Sequence, residues 1–134
     1  MTENSQRVTY KATFLIRGHD LDPDEVTQLL GVMPTDVARR GDRTKSGREL
    51  PCGSWHFESG DPGEDAVKHI EAALKPFANR TDELHKLKSR GFDITVWVSH
   101  FMADDGGYEL SADLMRLCSK LGTSLSISII LHDE

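Results

Sequence analysis

The chain has 134 residues, 37% apolar and 28% charged, with a net charge of -6 at neutral pH. Its size allows one domain, 1–134, to bury a core without a disulfide or metal framework, and a mean hydropathy of -0.44 leaves no apolar run of bilayer length. The acidic balance argues against dense phosphate contact, because nonspecific nucleic-acid affinity comes from Lys and Arg neutralising phosphates, so neither a nucleic acid nor a membrane is the expected partner.

The stretch from Val8 to Arg17 alternates as a strand, with Tyr10, Ala12, Phe14 and Ile16 on one face and Thr9, Lys11, Thr13, Leu15 and Arg17 on the other. A helix follows. Asp22 suits its N-cap, Pro23 its first position, and Glu25 is spaced to return a bond to the cap. Val26, Leu29 and Leu30 give the buried stripe, and Gly31 the left-handed stop. From Val32 to Gly53 the pattern dissolves into a long loop, and long ordered loops in small domains are often functional. Ser54 to Glu58 resumes strand alternation with Trp55 and Phe57 inward. Asp61-Pro62-Gly63-Glu64 opens a helix carrying Val67, Ile70, Ala73, Leu74 and Phe77, which Pro76 ends or kinks. A second helical piece, Thr81 to Arg90, presents Leu84 and Leu87 and stops at Gly91.

Phe92 to Phe101 sets Ile94, Val96 and Val98 against Thr95, Trp97, Ser99 and Phe101. Asp104-Asp105-Gly106-Gly107 reads as a turn. Leu110 to Gly122 then repeats the plan of Leu21 to Gly31, a capped short helix stopped by glycine, and leads into a final strand, Ser124 to Leu131, with Leu125, Ile127 and Ile129 alternating against serines. This echo predicts two βαβ halves, 8–58 and 92–132, joined by a helical connection over 61–90. The expected class is α+β: a ferredoxin-like sandwich with a four-stranded antiparallel or mixed sheet and an extra helical segment between the halves.

Chemistry-bearing residues gather in the long loop: Thr35, Arg40 and Asp42, followed by Trp55. A guanidinium fork there fits a small anion, and the competing reading is an Arg40 to Asp42 pair that pins the loop around a core Trp55. The acidic run from Asp20 to Glu25 lacks the glycine and terminal glutamate of a calcium loop, and helix capping accounts for it. Six histidines show no paired metal spacing, and no phosphate-cradling glycine loop or nucleophile elbow occurs. No catalytic residue, metal or cofactor is therefore assigned. On the polar sheet face, Trp97 and Phe101 stand among Thr9, Thr13, Thr95, Ser99, Ser126 and Ser128, which resembles a contact surface unless the middle helices fold across it.

Taken together, Leu21-Asp22-Pro23-Asp24-Glu25, Gly31-x-x-Pro34-Thr35, Arg40-Gly41-Asp42, Gly53-Ser54-Trp55 and Gly106-Gly107-Tyr108-Glu109-Leu110-Ser111 carry a resemblance. Over Tyr10 to Leu131 the chain resembles the bacterial domain-of-unknown-function family DUF4279. The resemblance implies a small stand-alone cytoplasmic protein and carries over no catalytic residue. The polar start, Met1 to Arg7, lacks a secretory layout, and the two cysteines have no metal-type spacing, which also fits the cytoplasm. The expected function is protein binding, as a homodimer or with another protein, through Trp97 and Phe101. One version is an immunity-like partner that neutralises a basic protein. The alternative is a regulatory domain that senses a small anion near Arg40, and the third reading is an enzyme of unknown type.

Overall fold

The computed structural model describes residues 9–59, 65–102 and 108–131. Along them run β1 (Thr9–Gly18), α1 (Pro23–Leu30), β2 (Asp36–Ala38), β3 (Gly53–Glu58), α2 (Ala66–Leu74), α3 (Thr81–Ser89), β4 (Asp93–Met102), α4 (Ala112–Leu121) and β5 (Ser124–Leu131). The strands form one sheet in the order β2-β3-β1-β4-β5. Every neighbouring pair is antiparallel except β4 and β5, which are parallel.

The helix ends follow from their residues. Asp22 has extended backbone and accepts the Asp24 N–H at 3.1 Å, while Pro23 occupies the first turn, where its missing N–H costs nothing. Ser111 does the same for α4 by accepting the Leu114 N–H at 3.1 Å. Both helices stop at a glycine in the left-handed region, Gly31 at φ 69° and Gly122 at φ 72°. Side chains from α3 complete the end of α4: Lys88 Nζ donates to the Gly122 carbonyl at 2.9 Å, and His85 Nε2 lies 3.1 Å from the Lys120 carbonyl.

Strand alternation sends Phe14, Ile16, Trp55, Val96 and Val98 to one side, and all four helices bury their apolar stripes against it. Phe77 is the central plug. Its ring stacks on Phe14 with centroids 4.1 Å apart and meets Trp55 and Phe57 edge-on at 5.9 and 5.5 Å. Pro76 has no N–H with which to extend α2, so the helix yields to a 3-10 turn, Lys75–Phe77, that delivers the ring. Burying such a side chain is worth about 1.5–3 kcal/mol.

The sheet corrects several expectations. It has five strands, not four, and residues 8–58 do not form a parallel βαβ half, because β3 pairs with β2 first and so lies beside β1 running the opposite way. Three residues are too few for β2 to show an alternation of its own. The second half does keep the βαβ form, β4-α4-β5. Glu25 does not return to its cap but meets Arg90 Nη1 at 3.0 Å, just beyond α3. Ile127 and Ile129 share the helix side of β5 with Leu125 yet are 43% and 59% exposed, so β5 is not half-buried along its length. The helix opening expected at 61–64 and the turn expected at 104–107 lie outside the described residues; the described cap of α2 is Asp65, which accepts the Val67 N–H at 2.9 Å.

Candidate functional site

Because the helices pack on the Phe14 side, the other side of the sheet carries the residues of opposite parity. The middle helices α2 and α3 do not cover Trp97, which is 46% exposed. In register it sits between Thr13 of β1 and Ser126 of β5, and its indole N–H donates to Ser128 Oγ at 3.0 Å. This bond orients a large apolar side chain while leaving nearly half of it in water. Phe101 stands in β4 opposite Thr9 and Ile130; its side chain lies outside the described residues.

The same face becomes charged toward β2. Leu15, almost fully buried, lies opposite His56 and Thr95, and His56 lies opposite Asp36. Lys11 and Glu58 pair at 3.1 Å. Burial holds the His56 imidazole below its ordinary range against the opposing pull of Asp36 and Glu58, with Arg17 adding to the lowering.

The long segment before β3 is an ordered hairpin, not a simple loop. Gly41 N–H donates to the Leu50 carbonyl at 2.9 Å, Leu50 N–H to the Asp42 carbonyl at 2.7 Å, and Thr44 N–H to the Arg48 carbonyl at 2.8 Å. Thr35 fastens its start, donating its N–H to the His56 carbonyl at 2.7 Å and accepting the Glu58 N–H on its hydroxyl at 2.9 Å. Asp42 accepts the Arg39 N–H at 2.8 Å rather than pairing with Arg40. Arg40 Nη1 instead meets the His19 ring nitrogens at 2.8 and 2.9 Å and Asp20 Oδ1 at 3.3 Å.

Arg39, which the sequence reading passed over, does as much as Arg40. Its guanidinium donates to Asp22 Oδ1 at 3.1 Å and Asp24 Oδ2 at 2.9 Å, and hydrogen bonds to these carboxylates raise its pKa further. Two adjacent arginines downstream of three carboxylates at alternate positions were the available signal. The hairpin base is thereby clamped to the first turn of α1, and both guanidinium charges are compensated. Trp55 is elsewhere: fully buried, it donates its indole N–H to Thr27 Oγ1 at 3.0 Å. Thr35, Arg40, Asp42 and Trp55 thus share no partner and do not converge on one point.

A cleft of about 450 Å³ opens where α4 meets β5, walled by Leu114, Met115, Cys118, Thr123, Leu125 and Lys88. Burial pushes the Cys118 thiol up, which suits an inert wall better than a nucleophile. Among the described residues no group of three or more His, Cys, Asp or Glu side chains could hold a metal ion, and no helix is long and apolar enough to cross a membrane.

These features define an α+β protein whose helices cover one side of a mixed five-stranded sheet and leave an oriented tryptophan on the other. The chain belongs to the family described as a domain of unknown function, DUF4279, whose model matches residues 8–132. Searches of curated proteins and of solved structures gave no match.

Proposed function

We propose that this chain is a non-enzymatic binding protein that meets a protein through the open side of its sheet, with Trp97 and Phe101 as anchors. The exposed, hydrogen-bonded Trp97 carries the reading. Tryptophan dominates binding energy at many interfaces because it offers a large apolar area, and here little orientational freedom remains to be lost. Thr13, Ser126 and Ser128 around it bear no charge that would have to be desolvated.

The rest of the reading follows the same surfaces. The run β2-β3-β1-β4 is antiparallel throughout and supports a ferredoxin-like unit, to which α4 and β5 are added. Nucleic acid is a poor fit, since Lys11 on the open side is already engaged by Glu58. Free Cys52 and Cys118 agree with a reducing cytoplasm. A net charge of -6 favours a basic protein as the partner, which is the immunity-like version. The small-anion reading has less support, because Arg40 already faces Asp20.

The test compares the full chain with Trp97→Ala. Association with the partner, measured as affinity capture from the native host, should weaken while circular dichroism and thermal midpoint stay unchanged. Retained proteins that are identical for both chains would sink the reading.

A further inference from the structure

The two edges of the sheet are unlike. β2 closes one edge with three residues, the first of them Asp36, the kind of short and charged strand that discourages pairing. β5 closes the other with eight residues, Ser124–Leu131, and carries no charge and no proline. Its outer backbone groups have no strand beside them among the described residues. On the helix side of this strand, Ile127 and Ile129 are 43% and 59% exposed, and Met115 of α4, 52% exposed, walls the same cleft as Leu125. Long, uncharged and apolar is the description of an edge that pairs.

We infer that β5 is the contact between two copies of this chain, paired antiparallel about a two-fold axis so that their sheets become continuous. A second copy fits better than an unlike partner for two reasons. An uncharged edge offers nothing with which to select a basic protein, whereas two chains of net charge -6 repel each other least where the surfaces that meet carry no charge. Pairing a strand with its own copy is also self-complementary. With the axis at Ser128, Ile127 of each copy lies opposite the partner's Ile129, so isoleucines meet on the helix side and Ser128 lies opposite its own copy at the centre of the open side. The exposed Ile127, Ile129 and Met115 would then be covered together. The inference goes beyond the open-side reading and does not rest on it.

The experiment is sedimentation velocity on the full chain over a wide range of concentration, beside Ile129→Lys, Ile129→Thr and Trp97→Ala. Ile129 is more than half exposed, so the lysine is tolerated by the monomer but buries a charge at the paired edge. Wild type, Ile129→Thr and Trp97→Ala should sediment as dimers, and Ile129→Lys should weaken the dimer at least about tenfold with an unchanged thermal midpoint. The inference is overturned by a wild-type chain that is monomeric throughout. It is equally overturned if Ile129→Lys stays as dimeric as wild type, or if Trp97→Ala alone dissolves the dimer, which would place the contact on the open side.

Discussion

Trp55 and Thr27 are joined inside the core: the indole N–H donates to Thr27 Oγ1 at 3.0 Å, and that hydroxyl donates onward to the Pro23 carbonyl at 3.0 Å. The chain of bonds ties β3 to the first turn of α1. Thr27→Val keeps the shape but leaves a buried indole N–H without an acceptor, and should cost about 1–3 kcal/mol in urea unfolding. In a Trp55→Phe background the same change should cost much less, because the donor is gone. Equal losses in both backgrounds would show that the bond contributes nothing.

The two tryptophans should be distinguishable in solution. Trp55 is fully buried and Trp97 nearly half exposed. Trp97→Phe should therefore shift the emission maximum to the blue and reduce quenching by acrylamide, whereas Trp55→Phe should do the reverse. An unchanged spectrum for Trp97→Phe would mean that something covers the open side.

Gly53 pairs with Gly18 at the end of β1, and the reason for glycine there is space. A β-carbon on Gly53 would sit 2.4 Å from the Leu21 carbonyl oxygen, a backbone atom that cannot swing aside. Gly53→Ala should lower stability by about 2 kcal/mol or more in thermal or denaturant unfolding. Gly47→Ala, where a β-carbon meets nothing within 4 Å, serves as the comparison that isolates backbone conformation at φ 87° from steric contact.

His56 predicts a pH dependence. Its imidazole is held below its ordinary 6.5, chiefly by burial. As pH falls below that value the unfolded chain takes up this proton before the folded one does, so the stabilisation is present above about pH 6.5 and is lost on the way down through the lower folded value. His56→Gln should flatten this part of the stability profile, measured as denaturant midpoints between neutral and mildly acidic pH. Parallel profiles for the two proteins would rule the assignment out.

Much of the fold was legible because its signals are local. Asp22 with Pro23 and Ser111 mark helix starts, Gly31 and Gly122 mark stops, Pro76 marks the break after α2, and the alternation around Val96 marks a half-buried strand. The first half was misread because β2 is three residues long and its effect is nonlocal: it decides on which side, and in which direction, β3 enters the sheet. The Arg40 group was half legible. Thr35, Arg40 and Asp42 lie in the one segment before β3, but whether Arg40 met Asp42, an anion or Asp20 depended on where the base of that hairpin lands against α1.

By itself the sequence determined the caps and stops of α1 and α4, the inward side of β1, β3, β4 and β5, the DUF4279 membership and the acidic balance, since each rests on spacing of a few residues, on motif or on composition. Only the tertiary structure decided that all four helices share one side of the sheet, that Trp55 is sealed while Trp97 faces water, and that β5 is left as an edge. Those outcomes are set by packing between segments far apart in the chain. Two tryptophans in equally regular strands thus take opposite roles, because what covers a side chain is not written beside it.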